Sequence, residues 1–597
     1  MKKIIAIALS LVLILALAGC AAETPAPSNT DVNETFSGGS GTAAAPYQIA
    51  TADDLWKMAE LVNDHNLDYR EAYYILTADI DLGGAAWTPI GDNYLDGFKS
   101  FPGIFDGDGH TISGLNVTAA EDDETRYFGL FGQVEGTVKN LTVASSTIDC
   151  SGRSSATAGA IVGRVDYDGI VENCHVASDV TVTGSSRTGG VAGDLAGTMS
   201  FCTNGATVSS SSNVSIVGGV IGIITGAPDL NVSSGTVTDC ANTGTVTGTD
   251  TVGGVVGEAL ACKIDDCQNT AAVNGVNAGG VVGIINAAQT NGSVGKYTVN
   301  GCENLGDVTG TEYAGGIVAR SLITTGAVSI ENSNNAGSVM AVTMGGILGE
   351  ATTSTAAASL SMTGCVNTGA LLNAEADGTN ITGGIVASLV AKDGGRFVLD
   401  NCSNEGAIDA GRGRAGGILG TYLSAKSSGT ASVTLTNCTN SASVNAGPMG
   451  LGGIVGEVSA AAEPAVTFTV AGCVNSGDLY GNTANVRIGG IVGVIEPHFC
   501  TATLTDCRNS GNISCEAVVI SESEEWFDFS AAMGGIVGYV GVNGVSLTPE
   551  DDCGLGSTTV LTVSGCTSTG TITTNDSGVE YYTDDVCGLC VVGTDIR

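Results

Sequence analysis

Few residues of this chain are of types that do chemistry, and they are widely scattered. The histidines are His65, His110, His175 and His498, and none lies in a His-Glu-x-x-His pair, so the common zinc-protease motif is absent. The densest polar group is Asp106, Asp108 and His110 in the run FDGDGHT. Such alternation can offer carboxylate oxygens to calcium, which makes Asp106 and Asp108 the metal candidates; it serves equally well as a tight turn, the simpler reading. Asp79 and Asp81 alternate on a predicted strand and share one face, as solvated or turn-capping acids do. A polysaccharide lyase or glycosidase needs paired carboxylates, or a base beside a calcium-binding acid cluster. No such constellation stands out, so the expectation is a protein without catalytic activity or obligatory cofactor. Cys587 and Cys590 form one Cys-x-x-Cys pair, and a single pair does not make a zinc site.

Exposed aromatics are the other sequence signal for ligand contact. Of the three tryptophans, Trp56 and Trp87 fall where packing explains them. Trp526 differs, because it sits with Phe527 and Phe529 beside Glu522, Glu524 and Glu525 in the insertion 516–532. That long loop is the candidate ligand-contact patch, with Trp526, Phe527 and Phe529 as its anchors.

What must position these residues is a repeat. The block Gly-Gly-(Val/Ile)-(Val/Ile/Leu/Ala)-(Gly/Ala) opens at Gly189, Gly218, Gly253, Gly279, Gly315, Gly345, Gly383, Gly416, Gly452, Gly489 and Gly534, with a weaker copy at Gly159. Ten steps over the 345 residues from Gly189 to Gly534 give a mean period of 34.5. A second block, Cys-x-Asn-x-Gly-x-(Val/Ile/Leu), keeps step with it, clearest at Cys240, Cys302, Cys365, Cys402, Cys473 and Cys507. In the unit 279–314, β-branched segments around Val281, Val299 and Val308 alternate with turn formers, which predicts three strands per period. One such coil cannot bury its inner face, and stacking supplies both the core and the strand pairing. Neither helical periodicity nor leucine-rich spacing occurs in the repeats. The fold class expected is all-β, a parallel β-helix (β-solenoid) of about 35-residue rungs.

The glycines are expected where a side chain would crowd a turn or the next rung. The asparagines of the second block, among them Asn242, Asn304, Asn367, Asn404, Asn475 and Asn509, are expected one above another, their amides bonding along the axis as a structural ladder. Eleven of the 19 cysteines share one repeat position, where Ser333 once substitutes. Rung spacing of ~4.8 Å strains a disulfide dihedral, so these thiols are expected free and buried. Cys262, Cys500, Cys515 and Cys553 are expected in loops, where bridges could form.

Residues 1–20 read as a secretory signal, with Lys2 and Lys3 ahead of the apolar run 4–17 and small residues before Cys20. Leu17-Ala18-Gly19-Cys20 resembles the bacterial lipobox, which implies lipidation of Cys20 and a protein held on the outer face of the cell membrane. Residues 21–43, rich in Pro, Ser, Thr, Asn and Gly, read as a flexible tether. Residues 44–150 open with TADDLWKMAELVNDH, in which Leu55, Met58, Ala59 and Val62 share one helical face and Thr51 is the N-cap. This predicts a short N-terminal capping helix followed by the first rungs, with the repeats proper at 151–597. The net charge of −40, from 61 acidic and 21 basic residues, disfavours nucleic acid as a partner.

The stretch Gly129-Leu130-Phe131-Gly132 and the GGIVG blocks resemble GLUG-motif repeats of bacterial surface proteins, across roughly residues 38–595. The resemblance implies an extracellular, right-handed β-helix used in adhesin-like attachment or as a scaffold, with glycans or host and matrix proteins as partners. GLUG-type regions also precede the catalytic domain of IgA-cleaving metalloproteases, but the histidine motif for that activity is missing. The other activity known on such scaffolds is that of polysaccharide-degrading β-helix enzymes, which would put a site in the first rungs.

Overall fold

The computed structural model describes residues 36–596 apart from 65, 92–99, 122–124, 211, 226–234, 261, 288–295, 374–379, 425–428, 449, 461–465, 484–485, 497–499, 516–530, 541–559, 574–580, 585–586 and 591–594. Cys20, Trp526, Phe527 and Phe529 lie outside the described residues. After a first short strand, Tyr47–Ile49, comes the expected helix, Ala52–Asn63. Thr51 Oγ1 accepts from the Asp54 N–H at 3.2 Å and Asp54 Oδ2 accepts from the Thr51 N–H at 3.1 Å, a reciprocal cap. Leu55, Met58, Ala59 and Val62 are buried, and Trp56 packs on Trp87 with ring centroids 4.5 Å apart. A second short helix, Leu67–Arg70, was not evident from the sequence.

From there the chain coils into four stacked sheets of parallel strands, a β-solenoid. Among the described residues, sheet I has 17 strands, sheet II 15, sheet III 26 and sheet IV 14. One coil shows the path: Val282–Ala287 in sheet IV, Lys296–Asn300 in sheet I, Glu303–Asn304 in sheet II and Val308–Gly315 in sheet III. Each pairs in register with the coil after it, as Val299 does with Ile330 and Asn304 with Asn335. The three strands expected per period are therefore too few. The Cys-x-Asn block is itself a two-residue strand, and in most coils the sheet III segment is split, as in Val339–Ala341 and Thr343–Gly345.

A corner the sequence did not reveal creates that extra strand. The residue just before each block cysteine takes a left-handed backbone: Asn173, Phe201, Asp239, Asp266, Asn332, Asn401, Asn437 and Asp506 have φ between 48° and 55°, and Gly301, Gly364, Gly472 and Gly565 between 63° and 66°. Asn, Asp and Gly tolerate this conformation best, which is why they dominate the position; Phe201 is the exception. The turn swings the next side chain into the core. The block cysteines from Cys174 to Cys507 are accordingly buried, and all are free thiols. Each S–H can donate to the carbonyl two residues back, as Cys202 does to Ser200 O at 3.3 Å; Ser333 Oγ makes the same bond to Glu331 O at 2.9 Å. Cys500 and Cys515 depart from the expectation of loop positions. Cys500 opens the strand Cys500–Thr505 and Cys515 closes Ile513–Cys515, each in the inward phase of its strand, while Cys262 stands just ahead of the strand Lys263–Asp265; all three thiols are buried and free, and Cys553 lies outside the described residues. Burial pushes the Cys262 and Cys500 thiols up to about 12.

Two residues further on, the block asparagines form a continuous column of buried amides. Asn204 Nδ2 donates to Asn242 Oδ1 at 2.9 Å, and Asn242, Asn269, Asn304, Asn335, Asn367, Asn404, Asn440 and Asn475 each donate to the next at 2.8 Å. The column ends at Asn509, whose Nδ2 reaches Ser568 Oγ at 3.3 Å. The second proton of each amide goes to the carbonyl two residues on, as from Asn335 to Gly337 O at 2.9 Å. Every polar atom of the amide is thus used inside the core. The second glycine of the other block makes this possible: a Cβ on Gly384 would lie 2.5 Å from Asn404 Cγ and closer still to Gly417 O.

Asn335→Ala deletes three of these bonds and leaves Gly337 O and Asn367 Oδ1 without their donors. The expected loss is about 3 kcal/mol or more, at ~1–3 kcal/mol per stranded buried group. Denaturant unfolding should show it as a lower midpoint, with the halves of the solenoid separating into two transitions. Thiol titration should find the buried cysteines from Cys150 to Cys515 unreactive in the native protein, and reactive without reductant once it is unfolded. A near-zero titre after unfolding would mean that they are bridged.

Candidate functional site

Between sheet IV and sheet I in the first coils lies an open cleft of 540 Å³ lined by Pro102, Gln133, Glu135, Asp166, Tyr167 and Asp168. Strand geometry explains its contents. Phe131–Val134 and Val162–Val165 end side by side in sheet IV, and the chain turns at Asp166–Gly169 before Ile170–Glu172 in sheet I. The turn is closed by the Gly169 N–H on Asp166 O at 2.9 Å and anchored by the Asp166 N–H on Val134 O at 2.8 Å. Its tip therefore carries Tyr167 and Asp168 outward, and the Tyr167 residue stays 42% exposed. Asp166 is held from both sides: Arg164 Nε donates to Oδ1 at 2.8 Å and Gln133 Nε2 donates to Oδ2. The result is a fixed carboxylate, an amide, two further acids and an open aromatic ring, groups that suit a hydroxyl-rich ligand.

The same arginine belongs to a longer feature. Just after each GGIVG block, one side chain of sheet IV points away from the core into the outer corner with sheet III. In register along this column stand Gln133, Arg164, Asp194, Ile223, Glu258, Ile284, Arg320 and Glu350, with Glu457 and Tyr539 further on. Asp194 has a fully buried side chain and takes Arg164 Nη1 at 2.8 Å, Arg187 Nη1 at 3.1 Å and Thr225 Oγ1 at 2.6 Å. Burial pushes the Arg164 guanidinium down, but Asp194 and Asp166 more than offset it and its pKa is raised. Arg320 Nη2 meets Glu350 Oε1 at 2.6 Å and stacks 4.1 Å from the Tyr313 ring centroid. Arg414 pairs with Glu457, and Arg487 stacks 4.1 Å from the Tyr539 ring centroid. The pairs Arg164–Asp194, Arg187–Asp194, Arg320–Glu350 and Arg414–Glu457 all lie in this corner.

The sequence-derived candidates fare differently. Asp106 Oδ2 is 3.1 Å from Lys139 Nζ, while its Oδ1 accepts from Asn140 Nδ2 at 2.9 Å and the Asp108 N–H at 3.0 Å. Burial pushes its carboxyl up, but these bonds and Lys139 outweigh that and hold it below its ordinary value. Asp108 sits at φ 48° in the turn. His110 is not with these two; its Nδ1 is 3.2 Å from Asp79 Oδ1, which also accepts from the Thr111 N–H at 2.9 Å. Asp81 Oδ1 caps Gly83 N–H at 2.8 Å. Among the described residues no three His, Cys, Asp or Glu side chains are grouped as metal ligands, and no helix is long and apolar enough to cross a membrane. The cleft and the outer corner were missed in the sequence. Their signal was present as the residue following each GGIVG block, whose identity changes from rung to rung.

Asp194→Ala leaves Arg164 and Arg187 facing each other without their shared carboxylate. The expected cost is about 3–5 kcal/mol, the usual range for breaking a buried pair, read as a drop in the unfolding midpoint. Asp194→Ala combined with Arg164→Met should recover part of it, since the second change removes a stranded charge.

No known protein family matches the chain. Halomucin of Haloquadratum walsbyi is 34% identical over 168 residues, 26% of this chain and 2% of that protein. A provisionally named Gly-rich membrane protein of Evansella cellulosilytica is 33% identical over 150 residues, 24% of this chain and 16% of its own length. The chain thus spans only a small part of the relatives it matches. Among solved structures, a provisionally named immunoglobulin A1 protease from Bacteroides ovatus aligns over 85% of this chain and 87% of its own, at 15% identity and a TM-score of 0.19. A likeness of that size bears on neither activity nor substrate.

Proposed function

We propose that the protein is a cell-surface scaffold of adhesin-like type that binds glycan chains, held to the membrane by lipid on Cys20. The single observation that carries the binding role is the cleft beside Tyr167. An exposed ring flanked by Glu135, Asp166, Asp168 and Gln133 offers a stacking face and hydrogen-bonding groups to a sugar. A solenoid also suits display, because its length grows by adding coils without enlarging the core. The names of the two relatives, halomucin and a Gly-rich membrane protein, fit a surface setting. The insertion carrying Trp526, Phe527 and Phe529 is a second place for ligand contact, and host or matrix proteins are the partners it would suit.

One observation favours polysaccharide cleavage as the rival reading: Glu135 and Asp168 line the same cleft and could divide acid and base roles. Both readings are tested on one glycan and matrix-protein array, run with and without calcium. Tyr167→Ala should weaken glycan retention about tenfold, as loss of roughly 1.4 kcal/mol would. Trp526→Ala with Phe527→Ala should leave it unchanged. The reverse result moves the site to the insertion. Release of reducing ends from the retained glycan, abolished by Glu135→Gln, would replace the binding role with an enzymatic one.

A further inference from the structure

Phe201 is out of place in two respects. Its backbone is left-handed, with φ 55°, at the corner where the other coils carry Asn, Asp or Gly. That conformation disfavours a bulky side chain, and an asparagine or glycine would adopt it more readily. The corner does not give way: the Phe201 N–H donates to Thr238 O at 3.1 Å, as the Asn173 N–H one coil earlier donates to Ser200 O at 2.9 Å. Nor does burial compensate, since Phe201 is 51% exposed. A ring that strains its backbone and still stands in water gains nothing from the fold. Strain of this kind points to a function outside it.

The surroundings of Phe201 supply an independent observation. The strands Ile170–Glu172 and Thr198–Ser200 pair in register in sheet I, Ile170 with Thr198 and Glu172 with Ser200. Tyr167 lies just ahead of the first strand and Phe201 directly follows the second. The two exposed rings therefore stand at opposite edges of one face, in neighbouring coils. Strand rise and rung spacing put them on the order of 10–15 Å apart. Val171 and Met199 face the core, which leaves Ile170, Glu172, Thr198 and Ser200 on the outward side between the rings. Ile170 is itself 39% exposed. Open apolar side chains scattered singly need no explanation, but three gathered beside a cleft mark a contact surface.

We propose that Phe201 is a second stacking subsite for the glycan held at Tyr167, so that one sugar chain runs from the cleft over Ile170 to Phe201. The inference rests on the reading of the Tyr167 cleft as a glycan site. A sugar ring has an apolar face and a rim of hydroxyls. This surface answers with two aromatic rings, an aliphatic side chain and the hydroxyls of Thr198 and Ser200. Charge narrows the class further. Glu135, Asp168 and Glu172 stand along the path in a chain of net charge −40, which repels uronic-acid chains and favours neutral ones.

The test is titration of the full chain with neutral oligosaccharides of graded length, and with uronic-acid oligomers as the charged comparison. Long neutral chains should bind Phe201→Asn about tenfold more weakly than the unchanged protein. Chains too short to reach from Tyr167 should bind both alike, whereas Tyr167→Ala should weaken short and long chains together. Phe201→Trp should keep long-chain binding. Phe201→Asn should also unfold at the same or a higher temperature, because asparagine suits the left-handed corner; a loss of binding is then not misfolding. Undiminished long-chain binding by Phe201→Asn, with Tyr167→Ala still defective, would overturn this inference and leave the proposed function standing. A lower unfolding temperature for Phe201→Asn would overturn it too, since the ring would then be serving the fold. Tighter binding of the uronic-acid oligomers would overturn the assignment of a neutral chain. If no glycan binds the unchanged protein, the reading of the cleft fails and this inference with it.

Discussion

The structure depends on a buried amide–glycine contact repeated once per coil. A core asparagine is tolerable only if both its protons and its oxygen are satisfied, and the solenoid achieves this by giving each amide the next one as partner. That arrangement requires the neighbouring backbone to come close. The second glycine of each GGIVG block provides the room, since a Cβ at Gly280, Gly346 or Gly453 would collide with Asn304, Asn367 or Asn475. The two sequence blocks therefore keep step because they touch. A coil of altered length could still close, but it would carry its asparagine past its glycine. The loops absorb the variation in period instead, and the ladder keeps its register through all of them.

A core built this way leaves the outside free to vary. Ala, Val, Ile, Cys and Gly fill the interior, and none of them distinguishes one coil from another. Individuality is concentrated in the outer corner between sheets III and IV, where a concave bend lets side chains from two sheets cover each other. Polar groups buried there must find partners across coils about 30 residues apart in sequence. Arg164 with Asp194 and Arg320 with Glu350 are such partnerships. A chain with only 21 basic residues has placed at least five arginines, Arg164, Arg187, Arg320, Arg414 and Arg487, in this single strip. Their desolvation makes them poor sources of net stability. What they add is specificity of register, since a slip by one coil would bring Arg164 against Ile223 and Asp194 against Glu258.

These two levels explain what was legible in the sequence. Glycine, asparagine and cysteine recur because backbone geometry and core amides allow no substitute, so period, strand direction and the helix under Thr51 could be read directly. The left-handed corner was hidden because Asn173, Asp239, Gly301 and even Phe201 all satisfy it, and a position defined by φ shares no side-chain chemistry. Cys500 and Cys515 looked like loop residues because nothing in their types marks the inward phase of a strand. The outer corner was illegible in principle from any single repeat. Its meaning lies in pairs, and Arg164 says nothing until Asp194 is known to stand one rung above it.

The same logic gives weight to the places where pairing fails. On an irregular surface an unpaired carboxylate is ordinary, because water reaches it from most directions. On a lattice that repeats every rung, Glu258 occupies the position that Arg164, Asp194, Arg320, Glu350 and Glu457 use for compensated charge, with Ile223 and Ile284 on either side. Neutral residues were available at that position, as Ser388 and Thr421 demonstrate in other coils. An acid there, with an aliphatic side chain in register on either side, costs stability that no ion pair with a neighbouring coil returns.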